Sequence, residues 1–259
     1  MDASAFERGL PHGYYIPVED IIGNSALKTM HQLERCLNDP TIGRLAIVGR
    51  HGVGKTFLMK HLHNFALNLG DDRFKYVIWV SLGDEFTIKD VQDAIAAALK
   101  CDIGHTPNRA HKLSKTLGDL GRFVLLLDGL TKSDVPESVE EILGHSVPAH
   151  GDGIECKLVV TTNCTASDSE SRMLDSFTKV EVGCLPEKEA FELFKHEAGL
   201  DDIHVAMLDN IPKLLVKECG GIPGWIVNCA SGSRVYGVDD LSGWRNALFQ
   251  FKQLVQLNN

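Results

Sequence analysis

Residues 49–57 read GRHGVGKTF. Gly49, Gly54, Lys55 and Thr56 fit G-x-x-x-x-G-K-[ST], the phosphate-binding P-loop pattern. The spacing has a physical reason. A turn after a strand points successive backbone N–H groups inward, and glycine lets the backbone come close to phosphate. The helix that follows adds the positive end of its dipole. The candidate cradle is Gly49, His51, Gly52, Val53, Gly54, Lys55, Thr56 and Phe57. In this pattern the lysine reaches the β and γ phosphates and the hydroxyl after it holds Mg²⁺. The flanks suit the loop. RLAIVG (44–49) is a short apolar run of strand type. In TFLMKHLHNFALNL (56–69), Leu58, Leu62, Phe65 and Leu69 share one helical face.

Further apolar runs alternate with helical patterns. KYVIWVSL (75–82), RFVLLLDGL (122–130), CKLVVTTN (156–163) and KVEVG (179–183) read as strands. TIKDVQDAIAAALK (87–100) reads as a helix with a Thr87–Asp90 capping box and Ile88, Val91, Ile95 and Leu99 inward. Strands rich in Val, Ile and Leu between helices predict a parallel sheet covered on both faces, an α/β fold. Ligands of such sheets bind at the C-terminal strand ends. Gly49 and Asp128 both fall at such ends. FVLLLD, ending at Asp128, is the apolar-run-then-acid signature of the second half of a P-loop site. Asp128 is therefore the candidate metal residue beside Thr56.

From Pro186 the pattern turns helical. PEKEAFELFKHEAG is bracketed by Pro186 at the first helical position and Gly199 after the last. Helices then fit 211–221, 223–235 and 241–257. The domains are read as 1–184, nucleotide-binding, and 185–259, helical. The polar stretch 165–176 reads as a surface loop or the start of a helix.

Composition narrows the possibilities. With 259 residues and 44% hydrophobic content, a sizeable core is available. The net charge of −9 speaks against a nucleic-acid binder, which needs a basic excess to displace counterions. The seven cysteines are odd in number and form no C-x-x-C, so reduced thiols and a cytoplasmic location are expected. The N-terminal MDASAFERGLPHG lacks the apolar stretch of a signal peptide, and no apolar run is long enough to span a bilayer. His61 and His63 point apart on a helix, so at most one is expected to face the core. Cys101 and His105 lack a second pair to complete a zinc site. The N-C-T at 163–165 fits a glycosylation pattern without a secretory signal beside it. Trp79, Trp225 and Trp244 are expected to pack in cores or junctions.

Taken in order, VEDIIGN (18–24), GRHGVGKT, YVIWVSLGDEFTIKDVQDAI (76–95), FVLLLDGL, CKLVVTTN, VEVGCLPEKEAFELFKHEAG (180–199) and CGGIPGWI (219–226) resemble the motifs of the NB-ARC domain. That domain is the nucleotide-binding switch of plant NLR disease-resistance proteins, a STAND-type P-loop NTPase. The resemblance spans roughly residues 15 to 250. It implies a five-stranded parallel sheet in the order 2-3-4-1-5, flanked by helices and followed by a small helical domain. It implies ADP in the resting state, exchange for ATP with Mg²⁺, and protein partners or self-association through neighbouring domains. By analogy Pro223 contacts the nucleotide from the helical domain, and Ile21 and Ile22 line the adenine pocket.

Several positions depart from the family's pattern. Phe57 stands where plant members usually carry a second Thr, and His51 where Gly is common. Gly129 replaces the second acid of LDD and cannot accept a proton. Asn163 replaces the arginine of TTR, which can sense the γ phosphate, and Gly224 replaces a Leu. On this reading Gly129→Asp, which restores the second acid, should raise hydrolysis if the rest of the site is competent. Glu85, after the second strand, is an alternative base. The family's motifs run out near the end of the first helical domain, which fits either a domain fragment or a reduced family member. Leucine-rich repeats, with their period of about 20–29 residues, are not seen. Three functions remain open: a nucleotide switch with weak or absent hydrolysis, a multiple-turnover ATPase, and a scaffold that kept the fold without the nucleotide.

Overall fold

The computed structural model describes residues 13–83, 86–104, 108–130, 138–145, 147, 156–163 and 172–257. The expected strands form: β1 (Arg44–Val48), β2 (Tyr76–Ser81), β3 (Phe123–Leu130), β4 (Cys156–Thr162) and β5 (Thr178–Glu181). All are parallel, in the order β2-β3-β4-β1-β5. The helices are α1 (Asn24–Asn38), α2 (Lys55–Asn68), α3 (Ile88–Ala98), α4 (Arg109–Leu120), α5 (Val139–Leu143), α6 (Glu187–Ala198), α7 (Asp202–Met207), α8 (Ile211–Glu218), α9 (Pro223–Ser233) and α10 (Leu241–Leu257). Of the polar stretch 165–176, the described part is a short 3₁₀ turn over Arg172–Ser176.

The inner strands β1, β3 and β4 are nearly continuous apolar runs because both their faces are covered; the edge strand β5 buries only Val180. Ala46, Val48, Ile78, Val80, Leu125, Leu127, Leu158 and Val160 point into one core, where they meet Val91 and Ile95 of α3 and Leu113 and Leu117 of α4. Their alternates, including Leu45, Ile47, Val77, Val124, Leu126 and Val159, are buried as well, and α2 packs on the sheet with Leu58, Met59, Leu62 and Ala66 buried. Period-2 alternation is lost in the sequence for this reason. Burying each such Val, Leu, Ile or Met side chain stabilises the fold by about 1.5–3 kcal/mol.

Local signals set the helix ends. Thr87 and Asp90 form the expected capping box on α3. Gly199 closes α6 at φ +68, where the left-handed backbone favours glycine. Pro186 lies at the N-cap rather than the first helical turn, a shift of one residue. His63 is buried with its ring edge toward Trp79, while His61 is half-buried and contacts the Glu19 carbonyl. Trp244 is fully buried in the helical core and Trp225 packs against that core. Trp79 is half-buried on β2.

Two compact units divide the chain. One holds the sheet: the segment ending at Glu19, Thr29–Arg50 and Lys55–Val182. The other takes Asp20–Lys28, His51–Gly54 and the chain from Gly183 onward. The second has its own core, built on Phe194, Leu215, Ile226 and Trp244. In it, Glu189 of α6 accepts hydrogen bonds from the Ser25 backbone N–H, at 3.0 Å, and from the Ser25 hydroxyl. A carboxylate there caps the exposed N–H groups that open α1.

Three cations are buried among the described residues of the first unit: Lys55, Lys157 and Arg44. Lys157 donates to the carbonyls of Asp39 and Ile42, and burial pushes its amine down to about 8. Arg44, at the start of β1, is 5% exposed and fully engaged. It donates to the Val147 carbonyl at 2.8 Å, the Ser176 hydroxyl at 3.0 Å and the Glu140 carboxylate at 2.7 Å. These bonds tie β1 to α5 and to the turn before β5. Truncating Arg44→Ala leaves those acceptors without their donor and opens a void. We expect a loss of about 2–4 kcal/mol of unfolding free energy, measured by urea titration. A loss under about 0.5 kcal/mol would show that water replaces the guanidinium.

Candidate functional site

The site grows from the sheet order. β1 lies beside β4, and β4 beside β3, with Val48 opposite Thr162 in the parallel register. The chain leaves β1 at Gly49, whose N–H donates to the Thr162 carbonyl at 3.2 Å. It then turns through residues 50–54 into α2, which starts at Lys55. Gly52 and Gly54 have φ of +80 and +97, backbone that side chains rarely adopt, so the glycines of the pattern are needed for the turn itself. Val53 is buried and His51 exposed. Phe57 is half-buried on α2, edge-on to the His61 ring at 4.7 Å.

Lys55 is 9% exposed and its ammonium is fully hydrogen-bonded. Its Nζ donates to the carbonyls of Gly49 and Arg50, each at 2.8 Å, and to Asn163 Oδ1 at 2.7 Å. Burial pushes the amine down to about 8, partly offset by the Asp128 carboxylate. The end of β4 thus delivers an acceptor to the loop lysine.

The Thr56 hydroxyl donates to Asp128 Oδ1 at 3.0 Å. The same oxygen accepts from the Thr161 hydroxyl at 2.6 Å, and Thr161 Oγ1 in turn accepts the Gly129 N–H at 2.8 Å. Thr161 is therefore a positioning residue for the acid. Composition gave no sign of it; the signal was its place in CKLVVTTN, beside the acid-bearing strand. A hydroxyl and a carboxylate side by side are hard oxygen donors suited to Mg²⁺, which takes few protein ligands and completes its shell with phosphate and water. No cluster of three or more His, Cys, Asp or Glu able to hold a metal occurs among the described residues.

The pairing of β3 with β4 slips between Leu127 and Leu130. Gly129 sits in that irregularity at φ +103, and a Cβ there would lie 3.2 Å from the Leu82 carbonyl oxygen. The position read as a missing acid is thus a place where the backbone favours glycine. Glu85, His105 and the Cys164–Thr165 part of the N-C-T pattern lie outside the described residues.

The other expected contacts belong to the second unit. Pro223 opens α9, and the next N–H, of Gly224, donates to the Gly52 carbonyl at 2.9 Å. A Cβ on Gly224 would come 3.2 Å from that oxygen, so Gly224 is also a close-approach glycine. Ile21 and Ile22 are half-buried ahead of α1, and the Ser25 N–H that follows them donates to Glu189.

The NB-ARC domain family model matches residues 27–203. A "probable disease resistance protein" of Arabidopsis thaliana is 36% identical over 192 residues, covering 72% of this chain and 19% of that protein. A second from the same plant is 30% identical over 250 residues, covering 91% of this chain and 26% of that protein. The chain spans about a fifth to a quarter of the length of these relatives. Among solved structures, the Aeropyrum pernix ORC2 protein, described in ADPNP-ADP complexes, aligns with TM-score 0.60 at 14% identity over 92% of this chain and 70% of that one. Domain III of the Thermotoga maritima replication initiation protein DnaA aligns with TM-score 0.52 at 13% identity, over 91% of this chain and 99% of that one. At such identity the likeness is one of fold, a P-loop NTPase sheet with helices.

The geometry at position 129 has a direct consequence. Gly129→Ala and Gly129→Asp should each lower stability by about 1–3 kcal/mol, since the cost lies in the backbone and the Leu82 carbonyl, not in charge. Chemical denaturation of both variants checks this. Wild-type stability in both would mean that the strand end relaxes freely.

Proposed function

Since the chain belongs to the NB-ARC domain family, we propose that it works as a nucleotide-operated switch module that binds ADP or ATP with Mg²⁺ and hydrolyses ATP weakly or not at all. The observation that carries the reading is the convergence of Lys55, Thr56 and Asp128 at the ends of β1 and β3, with Asn163 at the end of β4. Backbone N–H groups of the loop and the start of α2 favour an anion there. Lys55 supplies a cation that is poorly hydrated because it is buried. Thr56 and Asp128 would hold Mg²⁺, which when bound neutralises charge on the β and γ phosphates. Thr161 keeps the Asp128 carboxylate turned toward Thr56. The nucleotide complexes described for the Aeropyrum relative in fold support an adenine nucleotide as ligand.

What stands beside Asp128 supports weak hydrolysis. Gly129 offers no side chain to orient or deprotonate a water, and its backbone disfavours one that would. A switch does not need turnover. It needs a ligand whose affinity differs between two conformations. Protein partners or self-association through neighbouring domains, a cytoplasmic location and a part in plant defence complete the proposal. No described helix is long and apolar enough to cross a membrane.

Denaturing the purified protein and assaying the supernatant should release adenine nucleotide, and equilibrium binding of ADP with Mg²⁺ should be lost or weakened at least about tenfold in Lys55→Ala. Equal affinity in wild type and variant would remove Lys55 from the site. Absence of any binding at millimolar ADP would leave the scaffold reading. Steady phosphate release, abolished in Lys55→Ala, would favour the multiple-turnover ATPase.

Affinity should also depend on pH. The Lys55 amine titrates near 8 in the free protein, and a bound phosphate raises that value. Binding is therefore at full strength below about 8 and weakens as pH rises past it, with up to one proton taken up per nucleotide where pH lies between the free and bound values. Nucleotide phosphates are already ionised there and do not mask the effect. Calorimetry in two buffers of different ionisation enthalpy measures the proton. A constant affinity from about pH 7 to about pH 9.5 contradicts it.

A further inference from the structure

We propose that Asn163 is a latch for the P-loop lysine: its carbonyl oxygen competes with polyphosphate for Lys55 and so sets how tightly this chain holds a nucleotide. The inference rests on the reading of Lys55 as a phosphate ligand and names the residue that regulates it.

An ammonium has three protons and no acceptor. In Lys55 all three are matched: Gly49 O at 2.8 Å, Arg50 O at 2.8 Å and Asn163 Oδ1 at 2.7 Å. An oxygen of a β or γ phosphate can be ligated by Nζ only when one of these three acceptors is exchanged for it. Two are backbone carbonyls of the loop, fixed by the turn that leaves β1. The third is a side chain on the strand next to β1, one residue beyond Thr162. It is the partner that can swing away with least disturbance of the loop. An amide is suited to this. It is a neutral acceptor, so it holds an ammonium by one charge-assisted hydrogen bond without cancelling its charge. A carboxylate would hold it more firmly and repel phosphate; an aliphatic side chain would not hold it at all.

Burial strengthens the competition. Lys55 is 9% exposed, so water is a poor substitute partner and the ammonium must take an acceptor from protein or ligand. The choice between Asn163 and phosphate is close to an exchange of one acceptor for another. Removing Asn163 then shifts the exchange toward the ligand. The role requires the side-chain oxygen and not the amide nitrogen, which distinguishes it from a donor that reads phosphate directly.

The test is a series at one position in the full chain: Asn163→Ala, Asn163→Leu and Asn163→Asp. Two readouts are needed. Competitive acylation of amines, followed by peptide mass spectrometry, reports the reactivity of Lys55 without any nucleotide. Equilibrium titration with ADP and with inorganic pyrophosphate, both with Mg²⁺, reports affinity. The latch predicts that Lys55 is labelled several-fold faster in Asn163→Ala and Asn163→Leu than in wild type, and more slowly in Asn163→Asp. It predicts affinity raised several-fold in the first two and lowered at least about tenfold in Asn163→Asp, to the same degree for both ligands. Unchanged labelling in Asn163→Ala overturns the latch, whatever the affinities. Weaker binding in Asn163→Ala also overturns it, and shows Asn163 to be a phosphate donor instead. If labelling changes as expected but no form binds ADP or pyrophosphate, the latch stands as geometry, its competition with phosphate is overturned and the nucleotide-binding reading falls with it. Unfolding curves of each variant separate these results from simple loss of fold.

Discussion

Everything at the candidate site depends on β1 lying next to β4 inside a parallel sheet. That adjacency places the end of β1 beside Thr162 and leaves Asn163 level with the loop that follows Val48. On its other side β4 pairs with β3, where Asp128 meets Thr161. A parallel strand cannot be joined to its neighbour by a tight turn, so each connection crosses a face and every strand ends at the same edge. The apolar interior of the strands fixes the register; the polar residues that follow the last buried position are then forced together. Chemistry collects at that edge because hydrophobic burial stops there.

The polar groups gathered there satisfy one another in a particular order. Gly129 N–H, Thr161 hydroxyl, Asp128 carboxylate and Thr56 hydroxyl form a chain of hydrogen bonds from β3 through β4 and back to α2. Each member orients the next, from the part-buried Gly129–Thr161 and Thr161–Asp128 bonds to the exposed Thr56 hydroxyl. The acid is held at one oxygen by two hydroxyls. Lys55 lies on the β1 side of the same edge, held by carbonyls and an amide rather than by the acid. The cation and the anion of the site are kept apart although they attract, which leaves each of them able to meet a ligand of opposite sign.

The legibility of the sequence followed burial. β1, β3 and β4 could be read because they are nearly continuous apolar runs, and the P-loop could be read because Gly52 and Gly54 are demanded by positive φ. The strand order came through resemblance, since periodicity carries no information on which strand neighbours which. The helices α1 and α4 were not picked out, although Met30, Leu33 and Leu37 in one and Leu113, Leu117 and Leu120 in the other have helical spacing. Their charged and polar majority hid the stripe. Thr161, the Lys55–Asn163 bond and the φ of Gly129 were out of reach for another reason. They are relations between strands far apart in the chain, and a single sequence does not state them.

Gly129 and Asn163 read in the sequence as two independent losses, one of a base and one of a sensor. Their surroundings suggest a different account of each. Gly129 occupies an irregularity where β3 slips against β4, and its backbone conformation and the Leu82 carbonyl both disfavour a side chain. An acid could return there only with strained backbone and a small retreat of the Leu82 carbonyl, so the deficit lies in the backbone as well as in the residue type. Asn163 exchanges a donor for a group that can accept. An arginine at that position could not accept from Lys55 and would repel it, so the ammonium would lose its third partner. The substitution therefore does more than remove a contact to phosphate: it gives the lysine a protein partner of its own. On the proposed reading, Gly129 limits what can be done to a bound phosphate and Asn163 governs how readily one is held. The first bears on the chemistry of the site and the second on its occupancy, the property on which a binding switch depends.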